Sequence, residues 1–278
     1  MIRPGLLVDV DSVPEDAVLL DTRLTTAGRP GRERYEAGHL PGAAYVDLDD
    51  DLADPPGAGG RHPLPSPRRF VAAMQRVGVR PGSTVVVYDD GPATAAARLW
   101  WLLGDYGHAD VLVLDGGLAA WAASGRSVST MPVAPAAGDW TGSPGHHPTV
   151  DADGAGAMAR DGVLIDVRAA ERFRGEHEPL DQVAGHIPGA ANAPLTQLTD
   201  ELGRFHPPEA LARHFAALGV TATVPTAAYC GSGVTACQTL LALRLAGHGS
   251  DPDPEAALYP GSWSGWITDP TRPVATGS

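Results

Sequence analysis

Cys230 lies in the run Val224-Pro225-Thr226-Ala227-Ala228-Tyr229-Cys230-Gly231-Ser232-Gly233-Val234-Thr235-Ala236-Cys237, where a strand pattern gives way to a helix pattern. Residues 227–229 read as the end of a short buried strand and residues 234–245 as a helix, with Gly231 and Gly233 permitting a tightly curled turn between them. In such a turn successive backbone N–H groups converge on one anion, and the helix that follows adds the positive end of its dipole. A sulfur held there is stabilised as an anion, which makes Cys230 a candidate nucleophile. A cysteine ending a buried strand is equally often a core residue. The Gly-x-Gly turn favours the nucleophile and predicts an exposed position at the helix start. Two other uses of such a cradle fit less well. A cysteine phosphatase needs an arginine at the end of the loop, where Ala236 stands, and Gly231-Ser232-Gly233 lacks the Gly-Lys-Ser/Thr ending of a nucleotide-binding loop.

The rest of the chain must supply a scaffold for that turn. With 278 residues it is long enough for two domains with real cores, and 34 glycines and 26 prolines imply many turns and loops. A formal net charge of −13 with no basic stripe argues against binding to nucleic acid or to anionic membranes. No apolar run reaches 18 residues and no signal-like core follows Met1-Ile2-Arg3-Pro4-Gly5, so a cytoplasmic location is expected. Cys230 and Cys237 are the only cysteines, which excludes a disulfide scaffold or a cysteine-rich metal site. Cys237 falls on the predicted helix, facing the core.

Strand patterns at residues 18–21, 85–88, 111–114 and 163–167 alternate with helix patterns at 66–77, 93–103 and 118–123. Landmarks then recur. Leu19-Leu20-Asp21-Thr22-Arg23 reappears as Leu164-Ile165-Asp166-Val167-Arg168 at a separation of 145, and Ala37-Gly38-His39-Leu40-Pro41-Gly42-Ala43 as Ala184-Gly185-His186-Ile187-Pro188-Gly189-Ala190 at 147. Val86-Val87-Tyr88-Asp89 matches Ala227-Ala228-Tyr229-Cys230 at 141, and residues 116–121 resemble 261–266. The same order at nearly constant spacing indicates two copies of one α/β domain, each with a mainly parallel central sheet flanked by helices. We divide the chain into a first domain at 1–126, a Pro- and Gly-rich linker at 127–150 and a second domain at 151–278, with 252–273 as a turn-rich close. Asp89 stands where the second copy has Cys230, so only the second copy can use a thiol. A carboxylate, with Pro92 beyond it, is expected to disfavour an anion-binding turn in the first copy, which then serves as structure and as one wall of an interdomain cleft.

The segment Cys230-Gly231-Ser232-Gly233-Val234-Thr235-Ala236 resembles the active loop of tandem rhodanese-type sulfurtransferases, most of all their 3-mercaptopyruvate branch. The paired Gly-His-hydrophobic-Pro-Gly-Ala segments, the Asp-x-Arg strand ends and Gly261-Ser262-Trp263-Ser264-Gly265-Trp266 are also similar to that family, so the likeness covers nearly the whole chain. It implies two rhodanese-like domains and a sulfurtransferase in which Cys230 takes sulfur from a small-molecule donor. The resulting persulfide passes it to a thiol, cyanide or a thioredoxin-like acceptor, with no metal and no organic cofactor. The backbone of Gly231, Ser232, Gly233, Val234 and Thr235 would cradle the sulfur. Arg172 would hold the anionic group of the donor, and Ser232 would work with His62 and Asp49 at the donor carbonyl. Ser232 could instead make only a local turn hydrogen bond.

The likeness also implies structural ion pairing for Arg168 and Arg23. His39 and His186, each beside a Pro-Gly turn, read as hydrogen-bonding scaffold residues, and Trp263 and Trp266 as packing residues of a core or interface. One departure bears on the donor. The 3-mercaptopyruvate branch carries a second substrate arginine after Glu-Pro, whereas Glu178-Pro179 is followed by Leu180, which cannot make that bidentate contact. Thiosulfate, the donor of the rhodanese branch, therefore stays open, although Gly231-Ser232 lacks the cationic residues that follow the cysteine in that branch. A rhodanese-fold binding or regulatory protein is the non-enzymatic alternative.

Overall fold

The computed structural model describes residues 5–25, 28–249 and 254–278. Met1 to Pro4 at the start, Thr26 and Ala27 in the loop before Arg34, and Pro252 and Asp253 at the head of the closing segment lie outside the described residues. The chain divides into two compact units that are not contiguous in sequence. One gathers the residues up to 54 with 64–147 and 199–205, and the other 55–63, 148–198 and 206–278. Residues 55–63, from the first sequence copy, thus belong to the unit that carries Cys230.

The first unit contains β1 (Leu7–Val8), β2 (Val18–Asp21), β3 (Ala44–Tyr45), β4 (Val85–Tyr88) and β5 (Val111–Leu114), in the order β1-β5-β4-β2-β3 with every pairing parallel. All four residues of β4 are buried, as a run of valines between two parallel neighbours requires. The helices are α1 (Gly31–Ala37), α2 (Leu48–Asp51), α3 (Pro67–Arg76), α4 (Ala96–Asp105) and α5 (Gly117–Ala123). α3 starts after Ser66 with Pro67 in its first turn, and just beyond its end Gly78 turns the chain at a φ of +89°. α4 begins later than its apolar pattern predicts, because Ala93 stands at a φ of +62° in a loop that wraps the Asp89 side chain.

The second unit contains β6 (Val163–Asp166), β7 (Ala191–Asn192), β8 (Thr226–Tyr229) and β9 (Ala257–Leu258), parallel throughout in the order β7-β6-β8-β9. Read from β9, that order reproduces β5-β4-β2-β3, and Thr149 bridges Leu258 in parallel much as β1 pairs β5. Its helices are α6 (Ala152–Asp161), α7 (Ala170–Phe173), α8 (Pro208–Ala217), α9 (Ala236–Leu245) and α10 (Ser262–Trp266). Residues 236–243 of α9 are all buried, Cys237 among them, so this helix is a core element with no polar face over that span. Trp263 and Trp266 pack with Leu164, Ala227 and Tyr229 in the core of this unit, and α10 and β9 give the closing segment more regular structure than its turn residues suggest.

The duplicated landmarks are duplicated hydrogen-bond devices. The hydroxyl of Tyr88 accepts from the Leu40 N–H at 3.0 Å, and that of Tyr229 from the Ile187 N–H at 3.1 Å. His39 stacks on Tyr35 and bonds its carbonyl through Nδ1 at 2.9 Å; His186 stacks on Phe173 and does the same at 2.7 Å. At the strand ends, Arg23 Nε and Nη2 grip Asp21 at 2.8 and 2.5 Å while Nη2 also reaches the Gly38 carbonyl at 2.8 Å. Arg168 grips Asp166 at 3.0 and 2.6 Å and reaches the Gly185 carbonyl at 2.7 Å. Both pairs are almost fully shielded from solvent, so each charge depends on its partner.

Removing one member leaves a buried, uncompensated charge. Asp166→Ala is expected to destabilise the second unit by about 3–5 kcal/mol, measured as a fall in the urea midpoint of its unfolding transition.

Candidate active site

β8 delivers Cys230 at its C-terminal end, and the chain then curls through residues 231–235 before α9 starts at Ala236, two residues later than its sequence pattern suggests. The turn is held from behind. The Cys230 carbonyl accepts from the Trp263 N–H at 3.0 Å and the Gly231 carbonyl from the Ser264 N–H at 2.9 Å, both in the first turn of α10. Ser262, at a φ of +51°, receives the Cys230 N–H on Oγ at 3.1 Å and donates to the Tyr259 carbonyl at 3.0 Å. With these carbonyls and this N–H engaged behind the turn, the next two N–H groups face the sulfur. Ser232 N–H and Gly233 N–H donate to Cys230 Sγ at 3.4 and 3.1 Å. Of the five residues expected to form the cradle, Ser232 and Gly233 are the two whose amides bond the sulfur. Cys237 Sγ, one turn into α9, donates to the Gly233 carbonyl at 3.5 Å.

Gly233 has to be glycine. It adopts a φ of +79°, and a Cβ there would lie 2.3 Å from the Pro260 carbonyl oxygen. Cys230 itself is only 2 % exposed, so the expectation of an exposed thiol is corrected. The amides draw the sulfur down into the turn, and two guanidinium groups lie over the neighbouring Gly231. A methyl group placed on Gly231 would fall 2.7 Å from Arg61 Nη2 and 3.5 and 3.7 Å from Arg172 Nη2 and Nη1.

Arg172, near the end of α7, is held by carboxylates. Its Nε and Nη2 form a fork on Glu178 at 3.0 and 2.7 Å, and Nη2 reaches Asp181 at 3.3 Å. Glu178 also pairs with Arg168 and accepts the Leu180 and Asp181 N–H groups. Burial alone would raise the Glu178 carboxyl, but these donors outweigh it and hold it below the usual range. Asp181 forms ion pairs with both Arg61 and Arg172; burial dominates there and raises its carboxyl despite the two cations. The Leu180 side chain is exposed.

Residues 55–63 bring two more side chains to the turn. A tight reversal between Gly57 and Gly60 and a bond from the Arg61 N–H to Ser264 Oγ at 3.0 Å anchor the segment to α10. Gly60 takes a φ of +98° against Gly261, where a Cβ would meet the Gly261 carbonyl oxygen at 2.6 Å. His62 Nδ1 then lies 2.7 Å from Ser232 Oγ, so two of the predicted site residues meet. Asp49 lies in the first unit, within α2, with its N–H on Asp47 Oδ1 at 3.0 Å. Among the described residues no group of three or more His, Cys, Asp and Glu could hold a metal ion, and no helix is long and apolar enough to cross a membrane. Arg61, Ser262, Ser264, Glu178 and Asp181 were not singled out as site residues by motif. For Arg61 the available signal was its place beside His62 in a chain that has leucine where a second arginine is expected.

The first unit corrects another expectation. Asp89 does not abolish the anion-binding turn; it fills it. Its Oδ1 accepts from Gly91 and Ala93 at 2.9 and 3.1 Å, and its Oδ2 from Ala95 and Ala96 at 2.8 and 3.3 Å. Pro92, which has no N–H to give, falls between two donors.

The profile of the rhodanese-like domain matches residues 9–124 and again 151–269. A Pseudomonas aeruginosa protein provisionally named 3-mercaptopyruvate sulfurtransferase is 48 % identical over 94 % of this chain and 93 % of its own. A Mycobacterium tuberculosis protein provisionally named thiosulfate sulfurtransferase SseB is 43 % identical over 100 % of this chain and 97 % of its own. Among solved structures, the 3-mercaptopyruvate sulfurtransferase SseA of Escherichia coli superposes with a TM-score of 0.80 at 32 % identity, covering 94 % of this chain and 99 % of that one.

Gly233→Ala forces a side chain into the left-handed region and against Pro260, which displaces the amides from the sulfur. Loss of these charge-assisted bonds is expected to slow alkylation of Cys230 by iodoacetamide about tenfold or more, read by mass spectrometry with Cys230→Ser as background.

Proposed function

The chain belongs to the rhodanese-like family and is a sulfurtransferase, and from that premise we propose that Cys230 carries sulfur from 3-mercaptopyruvate to a thiol or cyanide acceptor as a persulfide. The observation that carries this reading is the pair of amides on Cys230 Sγ with the His62–Ser232 contact one residue away. Amides that hold a thiolate also hold the anionic persulfide, so the sulfur can change hands while the charge stays in the same cradle. Gly231, Val234 and Thr235 complete the curl that sets those amides.

In the first half-reaction the Cys230 thiolate attacks the donor sulfur. An S–S bond forms, the donor C–S bond breaks, and the proton of the donor thiol ends on the methylene carbon, which leaves as the methyl group of pyruvate. Ser232 and His62 are placed to relay that proton: with Nε2 protonated, the Ser232 hydroxyl donates to His62 Nδ1. The role of Asp49 as partner of His62 rests on the sequence resemblance. Arg172 offers its remaining Nη1 edge to the donor anion. In the second half-reaction the acceptor takes the outer sulfur and Cys230 returns as thiolate, giving thiocyanate from cyanide or a new persulfide from a thiol, including that of a thioredoxin-like protein. Two separated half-reactions imply ping-pong kinetics.

Thiosulfate is the second reading, supported by the name of the Mycobacterium tuberculosis relative and by Leu180. Intact-mass measurement after exposure to each donor distinguishes the two. The protein should gain one labile sulfur atom, larger in extent from 3-mercaptopyruvate, and Cys230→Ser should gain none; no gain from either donor overturns the persulfide. His62→Ala is expected to slow loading by about a hundredfold or more, the scale of a lost general acid–base group, measured as the single-turnover rate at saturating donor. Asp49→Asn, measured in the same way, should also slow loading, and an unchanged rate removes Asp49 from the mechanism.

A further inference from the structure

Two arginines, not one, lie at the cysteine turn, and both belong to the second unit. Arg172 spends one edge of its guanidinium on Glu178, where Nε and Nη2 are both engaged, and Nη2 also reaches Asp181. That leaves Nη1 as the group with which Arg172 can receive a ligand, and a single N–H edge does not make a bidentate clamp. Arg61 pairs with Asp181 through Nη1 while its Nη2 lies over Gly231, at the same point that Arg172 Nη1 and Nη2 approach. Arg61 is held in this position from both ends. Its backbone N–H is fixed to Ser264 Oγ, and Gly60 immediately before it can exist in its conformation only as glycine. The absence of a side chain on Gly231 keeps open the space into which both guanidinium groups project.

Resting on the sulfurtransferase reading of Cys230, we propose that Arg61 is the second donor-binding cation, its Nη2 joining Arg172 Nη1 to clamp the oxyanion of the sulfur donor beside Gly231. Asp181, nearly buried between the two arginines, sets their spacing. Arg61 thus does from the 55–63 segment what Leu180 cannot do from the loop after Glu178, since the Leu180 side chain points to solvent. The ligand chemistry is that of a small compound with a terminal carboxylate or a sulfonate-like group close to its transferable sulfur.

The test separates this inference from the reading on which it rests. Single-turnover sulfur loading is followed against donor concentration for wild type, Arg61→Met and Arg61→Lys, with 3-mercaptopyruvate and thiosulfate in separate arms. For any donor that loads wild type, Arg61→Met should raise the half-saturating concentration about tenfold or more while the maximal rate changes little, and Arg61→Lys should fall between. A role limited to propping the turn would lower the maximal rate instead, and unchanged half-saturation in Arg61→Met overturns the clamp. Which arm responds tells a carboxylate site from a sulfonate site. A second readout needs no sulfur transfer. Pyruvate, which carries the carboxylate but no sulfur, should protect Cys230 of wild type from iodoacetamide, and Arg61→Met and Arg61→Lys should require more of it. Equal protection in all three proteins, or none in wild type, also overturns the clamp. Failure of wild type to load from either donor sinks the persulfide reading but leaves this second measurement to decide the arginine.

Discussion

The fold is organised around a choice of direction for a few peptide groups. Between Tyr229 and Ala236 the chain could satisfy its polar atoms in several ways, and α10 selects one by donating its first-turn N–H groups to the Cys230 and Gly231 carbonyls. The Ser232 and Gly233 N–H groups are thereby left to the sulfur. Without α10 the same residues would form an ordinary strand-to-helix connection, and Cys230 would be one more buried thiol. The packing of Trp263 and Trp266 into the sheet, with the Arg168 guanidinium over the Trp263 ring, therefore bears on the chemistry as well as on stability, because it fixes the helix that aims the amides.

The two copies show how one scaffold serves opposite ends. In the first unit the turn closes on the Asp89 carboxylate, a permanent anion covalently part of the chain, with both oxygens occupied. That arrangement is satisfied and chemically inert. In the second unit the anion is the sulfur of Cys230, which can gain and lose a further sulfur atom. The substitution converts a structural hydrogen-bond motif into a carrier without altering strand order or pairing, as the common order of the two sheets shows.

Much of this was legible in the residues. The strands of four residues, the tandem repeat, the cysteine turn and the buried Asp-x-Arg pairs each carry a local signal, in β-branched runs, spacing or charge. The strands at Leu7–Val8, Ala44–Tyr45, Ala191–Asn192 and Ala257–Leu258 do not, since two residues are too short for any periodicity and exist only through their neighbours. The late start of α4 was hidden because Ala93 belongs to a good helix-former run, and only the wrapping of Asp89 pulls it out. The burial of Cys230 and the place of Arg61 were hidden for a related reason. Both depend on residues 55–63 joining the second unit, a long-range assignment that no motif within the first copy announces.

The central claim is that the charge of the transferred sulfur is borne by two particular amides. Their resonances report it directly: with the backbone assigned, the amide protons of Ser232 and Gly233 are followed by NMR as Cys230 is converted from alkylation-blocked to thiolate to persulfide. The account predicts that both shift downfield when the sulfur becomes anionic and stay there when the persulfide forms, while the Gly91 and Ala93 amides on Asp89 do not move. Invariance of Ser232 and Gly233 across the three states would contradict it.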